Sequence, residues 1–285
     1  RRWALTGTPL ENKVDDVVSI FGFVCPGLFG HDEQAEVSQR IRPYILRRRA
    51  EEVLDQLPEI TDQDFEIELG AEQRSTYEQM ERTGVAGLNA QGDSITVFNV
   101  LTLITRLRQF CNFDPASGSS AKLERLLEDL EEIRESGRKA LVFSQFVDEQ
   151  YGLKRLAKEI ASSGYKAAQL HGQVRQSHRD SVVQMFESDK SIDALLLNYR
   201  VGGVGLNLQV ANYVFLFDRW WNPAVENQAT DRAYRIGQKK NVLVHKFVCS
   251  GTLEERIDEL IGEKSHLAGE ILEEGGEIKL TEMSN

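Results

Sequence analysis

From residue 121 to residue 250 short apolar runs alternate with amphipathic helical patches, and few folds accommodate that rhythm. Leu123, Leu126, Leu127, Leu130 and Ile133 recur at three- and four-residue steps between Ala121 and Gly137, the spacing of a one-sided helix. Lys139 to Phe143 reads as a buried strand, and a helical stretch from Asp148 to Ser163 stops before Gly164. The pattern repeats. Ala167 to Leu170 precedes a helix over Gln176 to Phe186, Ile192 to Leu197 precedes a glycine loop at 202–205, and Tyr213 to Phe217 precedes a helix over Pro223 to Tyr234. Val242 to Val248 is the last strand, before a long polar helix from Thr252. Strands and helices in strict alternation predict an α/β fold, a doubly wound parallel sheet covered on both faces.

The first 120 residues lack this rhythm. Trp3-Ala4-Leu5 reads as the end of a strand, Val14 to Phe21 has helical spacing, and 31–110 alternates charged helical patches with turns at Pro43, Pro58 and Gly92. That stretch is expected to be a mostly helical insertion. Pro115-Ala116-Ser117-Gly118-Ser119-Ser120 has linker composition, which sets a domain boundary at 120/121.

Composition excludes several classes. No apolar run approaches the ~20 residues of a membrane span, and no Cys-x-x-Cys pair joins Cys25, Cys111 and Cys249, so neither a membrane partner nor a metal site is expected. The opening Arg1-Arg2-Trp3 shows no initiator Met and no apolar leader, so the chain is expected to be a fragment of a longer one. A net charge of -11 counts against nucleic-acid binding, but its distribution matters more. Residues 252–285 hold ten acids against three bases, whereas Arg40, Arg42, Arg47, Arg48 and Arg49 form a basic run with no acid among them.

Three segments could carry chemistry. In Gln228-Ala229-Thr230-Asp231-Arg232-Ala233-Tyr234-Arg235, a helix would project Gln228, Arg232 and Arg235 from one face beside Asp231. Paired guanidiniums suit phosphate, because their planar fork donates two hydrogen bonds and stays charged; taken alone two such arginines are more often in ordinary surface salt bridges, and it is the neighbouring segments that favour phosphate. Gly202-Gly203-Val204-Gly205-Leu206-Asn207 follows a strand, where closely spaced glycines let a backbone approach a phosphate or simply turn tightly. Asp218-Arg219-Trp220-Trp221-Asn222-Pro223 follows the next strand, so both segments could face one crevice at the carboxyl edge of the sheet, with one tryptophan in the core.

The run FDRWWNPAVENQATDRAYRIGQ at 217–238 resembles the last motifs of the Swi/Snf family of superfamily-two DNA translocases. LTGTPLEN at 5–12, VFSQF at 142–146, LHG at 170–172 and GGVGLNL at 202–208 line up with that family's earlier motifs in order. The resemblance implies a RecA-like second helicase lobe at 121–251, the end of a first RecA-like lobe at 1–30, a helical protrusion and linker at 31–120, and a C-terminal brace helix with acidic tail at 252–285. It implies that Arg232 and Arg235 are arginine fingers reaching ATP held by the other lobe, with Gln228, Asp231, Gly203 and Gly205 facing the nucleotide. By the same resemblance Ser144, Gln145, His171, Gly172, Asn207 and Trp221 lie near double-stranded DNA, and Thr6, Gly7 and Thr8 relay motion from the first lobe. Phe113 stands where the family often has His, and Asn198-Tyr199-Arg200-Val201 departs from its usual Ser-Leu-Arg-Ala.

No Gly-Lys-Thr loop and no Asp-Glu-x-His segment occurs in these 285 residues. Those elements cradle the phosphates and hold Mg2+, so ATP and Mg2+ are expected mainly on the N-terminal lobe of a parent chain, and this portion alone is not expected to hydrolyse ATP. A protein on the DNA being remodelled is a further expected partner. The rivals are a strand-separating helicase and a non-enzymatic scaffold. The compact ending suggests a cytoplasmic bacterial or archaeal protein, or a nuclear one if eukaryotic.

Overall fold

The computed structural model describes residues 2–5, 14–29, 40–45, 57–203 and 206–259. By its contacts the chain divides into two units, residues 1–55 with 221–224 and 259–285, and residues 56–220 with 225–258. In the first unit, helix α1 (Val14–Val24) buries Phe21 beside Ile41, with Phe29 meeting the Phe21 ring edge-on at 6.2 Å. Residues 2–5, expected to end a strand, are irregular, and Trp3 and Leu5 are exposed.

The second unit holds a six-stranded sheet. Its elements are β1 (Ile60–Ile67), α2 (Ala71–Gln91), α3 (Val97–Asn112), α4 (Ala121–Glu135), β2 (Ala140–Ser144), α5 (Leu153–Ser162), β3 (Ala167–Leu170), α6 (Gln176–Ser188), β4 (Ala194–Asn198), β5 (Tyr213–Leu216), α7 (Pro223–Thr230) and β6 (Val242–Cys249). The strand order is β1-β6-β5-β2-β4-β3, and every pairing is parallel. The doubly wound α/β expectation therefore holds, and the central apolar runs are buried throughout: every residue of β2, β4 and β5 is buried, as a sheet covered on both faces requires, while β3 and β6 each have half-buried positions.

Two apolar clusters fill the two sides. On one, Leu141, Phe143, Leu195, Leu197, Val214 and Leu216 pack with α6 and α7 residues; on the other, Val142, Leu196 and Phe215 meet Leu126, Leu130 and Ile133 of α4 and Leu156 and Ile160 of α5. Alternation along each strand sends neighbouring residues to opposite sides, which divides the side chains this way.

Three further expectations are corrected. The stretch read as a helical insertion contains β1, which pairs with β6 over eight residues from Ile60↔Val242 to Ile67↔Cys249, so the sheet extends across the boundary set at 120/121. β1 alternates poorly because its outer positions are charged, Asp62 pairing with Lys246 at 2.7 Å, and an edge strand of this kind lacks the apolar signature of its neighbours. The helix expected over 148–163 begins only at Leu153, because Asp148 turns the preceding chain by accepting from the amides of Gln150 and Tyr151. The helix expected to run to Tyr234 ends at Thr230.

Candidate functional site

In a sheet of this winding, ligands settle beyond the carboxyl ends of the strands where successive connections leave in opposite directions. That place lies between β2, whose crossover leads toward β3, and β5, whose crossover leads toward β6. Asp218, two residues past the end of β5, fills it. Its carboxylate accepts from the Gln145 amide at 2.9 Å, from Asn112 Nδ2 at 3.1 Å and from the Ser144 hydroxyl. Burial pushes the Asp218 carboxyl above its usual range even with Arg108 and Lys122 nearby. Ser144 is buried and turned inward, so the side chain read as a DNA contact is spent on holding the crevice together.

Around this centre the strand ends form an open groove of about 470 Å³, lined by Gln145, Gly172, Arg179, Asn198, Arg200 and Trp220 among others. Gln145 is fixed by its backbone, its carbonyl accepting from Asn198 Nδ2 at 2.8 Å. Tyr199 stacks on Phe143 at 5.6 Å, meets Trp220 at 5.6 Å, and donates its hydroxyl to the Asp218 carbonyl at 2.8 Å. This tyrosine, a departure from the family's usual residue, is thus a pillar joining the glycine turn to the tryptophan segment. Gly152 has no room for a side chain: a Cβ there would stand 2.5 Å from the backbone at Phe146 and Val147, so only glycine lets the start of α5 approach the groove wall.

His171, after β3, is buried with its Nδ1 unpartnered, and burial together with the Lys154 charge lowers its basicity. Of the two tryptophans, Trp220 packs on the core and Trp221 is 38 % exposed, as one core tryptophan requires.

The arginine segment is a turn and not a helical face. Ala233 and Tyr234 both donate to the Thr230 carbonyl, and the Leu208 amide donates to the Arg232 carbonyl at 3.0 Å. Buried Gln238 locks the turn, its Nε2 donating to the carbonyls of Gln209, Ala211 and Ala233 at 3.0 to 3.1 Å. The chain between the glycine turn and β5 is thereby stitched to the arginines. Arg235 is exposed and reaches the Leu206 carbonyl at 3.4 Å, whereas Arg232 is 4 % exposed with its Nε unpartnered. The two therefore do not share one surface. They remain electrostatic neighbours: burial first, then the Arg235 charge, lowers the Arg232 pKa, with Asp231 opposing. Gln228, Asp231 and Asn207 are exposed; Gly203 ends a 3-10 turn at Tyr199–Gly203. Gly205, Thr6, Gly7 and Thr8 lie outside the described residues.

Sequence reasoning missed the polar scaffold beneath the groove. Arg108 and Asn112 of α3 and Lys122 of α4 converge on it, and Arg219 forks onto Glu226 with Nε–Oε1 at 3.0 Å while pairing with Asp258. Lys122 interrupts an apolar helix face, the one signal visible beforehand. Three ligand-type groups also meet there, Cys111, Cys249 and Glu254, within 4.8 Å of one another, though 138 residues separate the two cysteines. The Glu254 oxygens are engaged by Lys122 at 2.7 Å and the Cys249 amide at 3.2 Å.

The helicase conserved C-terminal domain family matches residues 121–237, and the SNF2-related domain family matches residues 1–116. "Putative ATP-dependent helicase/translocase YwqA" of Bacillus subtilis is 38 % identical over 99 % of the chain and 33 % of its own length. A chromatin regulator of mouse, SWI/SNF-related matrix-associated actin-dependent regulator of chromatin subfamily A member 1, is 30 % identical over 96 % of the chain and 29 % of its own. The chain thus spans about a third of the curated relatives it matches. Among solved structures, the Sulfolobus solfataricus SWI2/SNF2 ATPase core in complex with dsDNA is 33 % identical, covering 95 % of this chain and 63 % of its own, at a TM-score of 0.60. The C-terminal domain of that ATPase is 28 % identical over 75 % of this chain and 90 % of its own, also at 0.60.

Proposed function

The chain belongs to the SNF2-related family of helicase-like proteins and carries its RecA-like lobe, and from that premise we propose that it is the C-terminal motor portion of an ATP-dependent translocase on double-stranded DNA. The observation that carries the reading is the arginine turn: two guanidiniums, one exposed and one buried with an unpartnered Nε, clamped by Gln238 to the segment that follows the glycine turn. A buried donor with no acceptor favours an arriving anion, and a γ-phosphate supplies one.

ATP when bound supplies the phosphoryl group and the free energy of its hydrolysis. Arg235 and Arg232 would meet the negative charge that gathers on the transferring group, with Gln228, Asp231, Gly203 and Gly205 near it. The sequence holds neither a phosphate loop nor an Asp-Glu-x-His segment, so the cradle and Mg2+ belong in this reading to a first lobe, whose end is residues 1–30 and whose motion Thr6 to Thr8 pass on. Gln145, His171, Gly172, Asn207 and Trp221 would face one DNA strand. The groove's Arg179 and Arg200 offer phosphate contacts inside an otherwise acidic chain.

Replacing Arg235 by Ala in the full-length protein should lower DNA-stimulated ATP turnover by about 10³-fold, the low end for an arginine finger. Turnover within a few-fold of wild type would instead favour a scaffold lobe. Separation of duplex strands by the full-length protein would favour an unwinding helicase.

A further inference from the structure

We propose that Arg108 is a positioning residue for DNA binding: it holds the Gln145 carboxamide so that an amide donor faces the strand, and ties that grip to the segment leading toward the arginine turn. The inference rests on the reading of the groove as a DNA contact.

Arg108 lies in the last turns of α3 and is buried. Its Nη1 donates to Gln145 Oε1 at 3.0 Å, and its Nη2 donates to the Arg219 carbonyl. A guanidinium can only donate, so the amide oxygen must be the atom turned toward it. Gln145 Nε2 is then the arm of the carboxamide left over, a buried donor with no partner in a residue lining the groove. An unmade hydrogen bond of this kind costs free energy that an acceptor recovers on arrival. Phosphate and deoxyribose oxygens are acceptors only, so the orientation set by Arg108 selects for them.

The Gln145 backbone needs no such help. Its amide is held by Asp218 and its carbonyl by Asn198, which leaves the side chain as the one part to be oriented. The second arm of Arg108 reaches the carbonyl immediately before Trp220, whose ring lines the same groove. One guanidinium therefore fixes both walls from a helix that lies outside the repeating strand–helix pattern.

The test is a double-mutant cycle in the full-length protein, using a short blunt DNA duplex as probe, with binding read by fluorescence anisotropy and ATP turnover read against DNA concentration. Gln145→Ala and Arg108→Met should each raise the DNA concentration for half-maximal turnover about tenfold, the worth of one charge-supported hydrogen bond, with kcat within twofold. The double variant should bind no worse than the weaker single one. Gln145→Glu, which keeps an acceptor for Arg108 but deletes the donor, should weaken binding at least as far as Gln145→Ala. If Arg108→Met does not fold, Arg108→Lys takes its place, with a smaller loss that vanishes in the Gln145→Ala background. Additive losses would overturn the proposal while leaving the groove a DNA site. Wild-type binding by both Gln145 variants would overturn the DNA reading at this position, and the proposal with it.

Discussion

The two ends of the one sheet treat charge differently. At the amino end, Asp193 precedes β4 and its carboxylate is fully engaged, accepting from Arg134 Nε at 2.9 Å, Arg134 Nη2 at 2.6 Å and the Lys166 amide at 2.8 Å. Lys139, before β2, is similarly tied down, donating to the carbonyls of Phe186 and Asp189. At the carboxyl end, the Gln145 and His171 side chains keep buried nitrogens without partners, and Asp218 is crowded by Arg108 and Lys122 at a depth that pushes its carboxyl upward. Satisfied polar groups hold a fold; unsatisfied ones in a groove hold a place for a ligand.

The largest effect should come from the ion pair beneath the carboxyl end. Lys122 and Glu254 are both wholly buried at 2.7 Å, and the ammonium also donates to the Phe217 carbonyl at 2.8 Å. Burial alone would lower the Lys122 pKa; the Glu254 carboxylate reverses that and keeps it charged. Glu254→Ala strands a buried cation and should cost about 3–5 kcal/mol in urea unfolding. The double variant Lys122→Met, Glu254→Leu should recover most of this, since matched apolar groups replace a buried pair with little loss. A loss below about 1 kcal/mol for Glu254→Ala would show that this end is no more electrostatically committed than the other.

Asp193→Asn probes the amino end and should cost about 1–2 kcal/mol, toward the lower figure because Arg134 is 44 % exposed. Burial raises the Asp193 pKa but the Arg134 hydrogen bonds and the Lys166 amide outweigh it, leaving the pKa below the usual value of 3.8. A depressed carboxylate stabilises the fold in full above its unfolded-state pKa and loses that contribution as pH falls through the folded value. The gap between wild type and Asp193→Asn should therefore be constant at neutral pH and shrink below about pH 4. A gap that grows on acidification would contradict the clamp. DNA affinity should not change, in contrast to the variants at Gln145.

The same contrast explains what the sequence made legible. β2 to β6 could be placed to within one or two residues because Leu141, Leu196 and Phe215 belong to short, continuous apolar runs, which only a sheet covered on both faces tolerates. Edge strand β1 escaped because Asp62 and Asp64 face outward and its register comes from β6, 182 residues away at Ile60↔Val242. Val201, just before the glycines, and Trp220 of the tryptophan segment line one groove, since both follow central strands. The end of the arginine helix was not legible, because the turn that follows Thr230 is held by Gln238 donating to the Gln209 and Ala211 carbonyls, 29 and 27 residues away, an arrangement with no local signal. Arg108 and Asn112 were hidden for the same reason, since they belong to a stretch of charged helical patches that tertiary packing buries, and Lys122, buried with them, showed only as a break in an apolar helix face.

The smallest effect should fall on the arginine turn itself, and it separates this turn from the groove. Gly237 has φ 105°, and a Cβ there would stand 2.9 Å from Gln209 Oε1. Gln209 donates to the Ile236 carbonyl, so it can yield only by releasing a bond that holds the turn. Gly237→Ala should cost about 1 kcal/mol, the penalty of a side chain in left-handed backbone, and lower the melting temperature by a few degrees. Its kinetic signature should oppose that of Arg108: kcat for ATP falls because Arg235 sits two residues away, while the DNA concentration for half-maximal turnover stays within twofold. A rise in that DNA requirement with unchanged kcat would mean that the turn serves the strand and not the nucleotide, because displacing Gln209 would then have been felt through the segment after the glycine turn and not through the guanidinium.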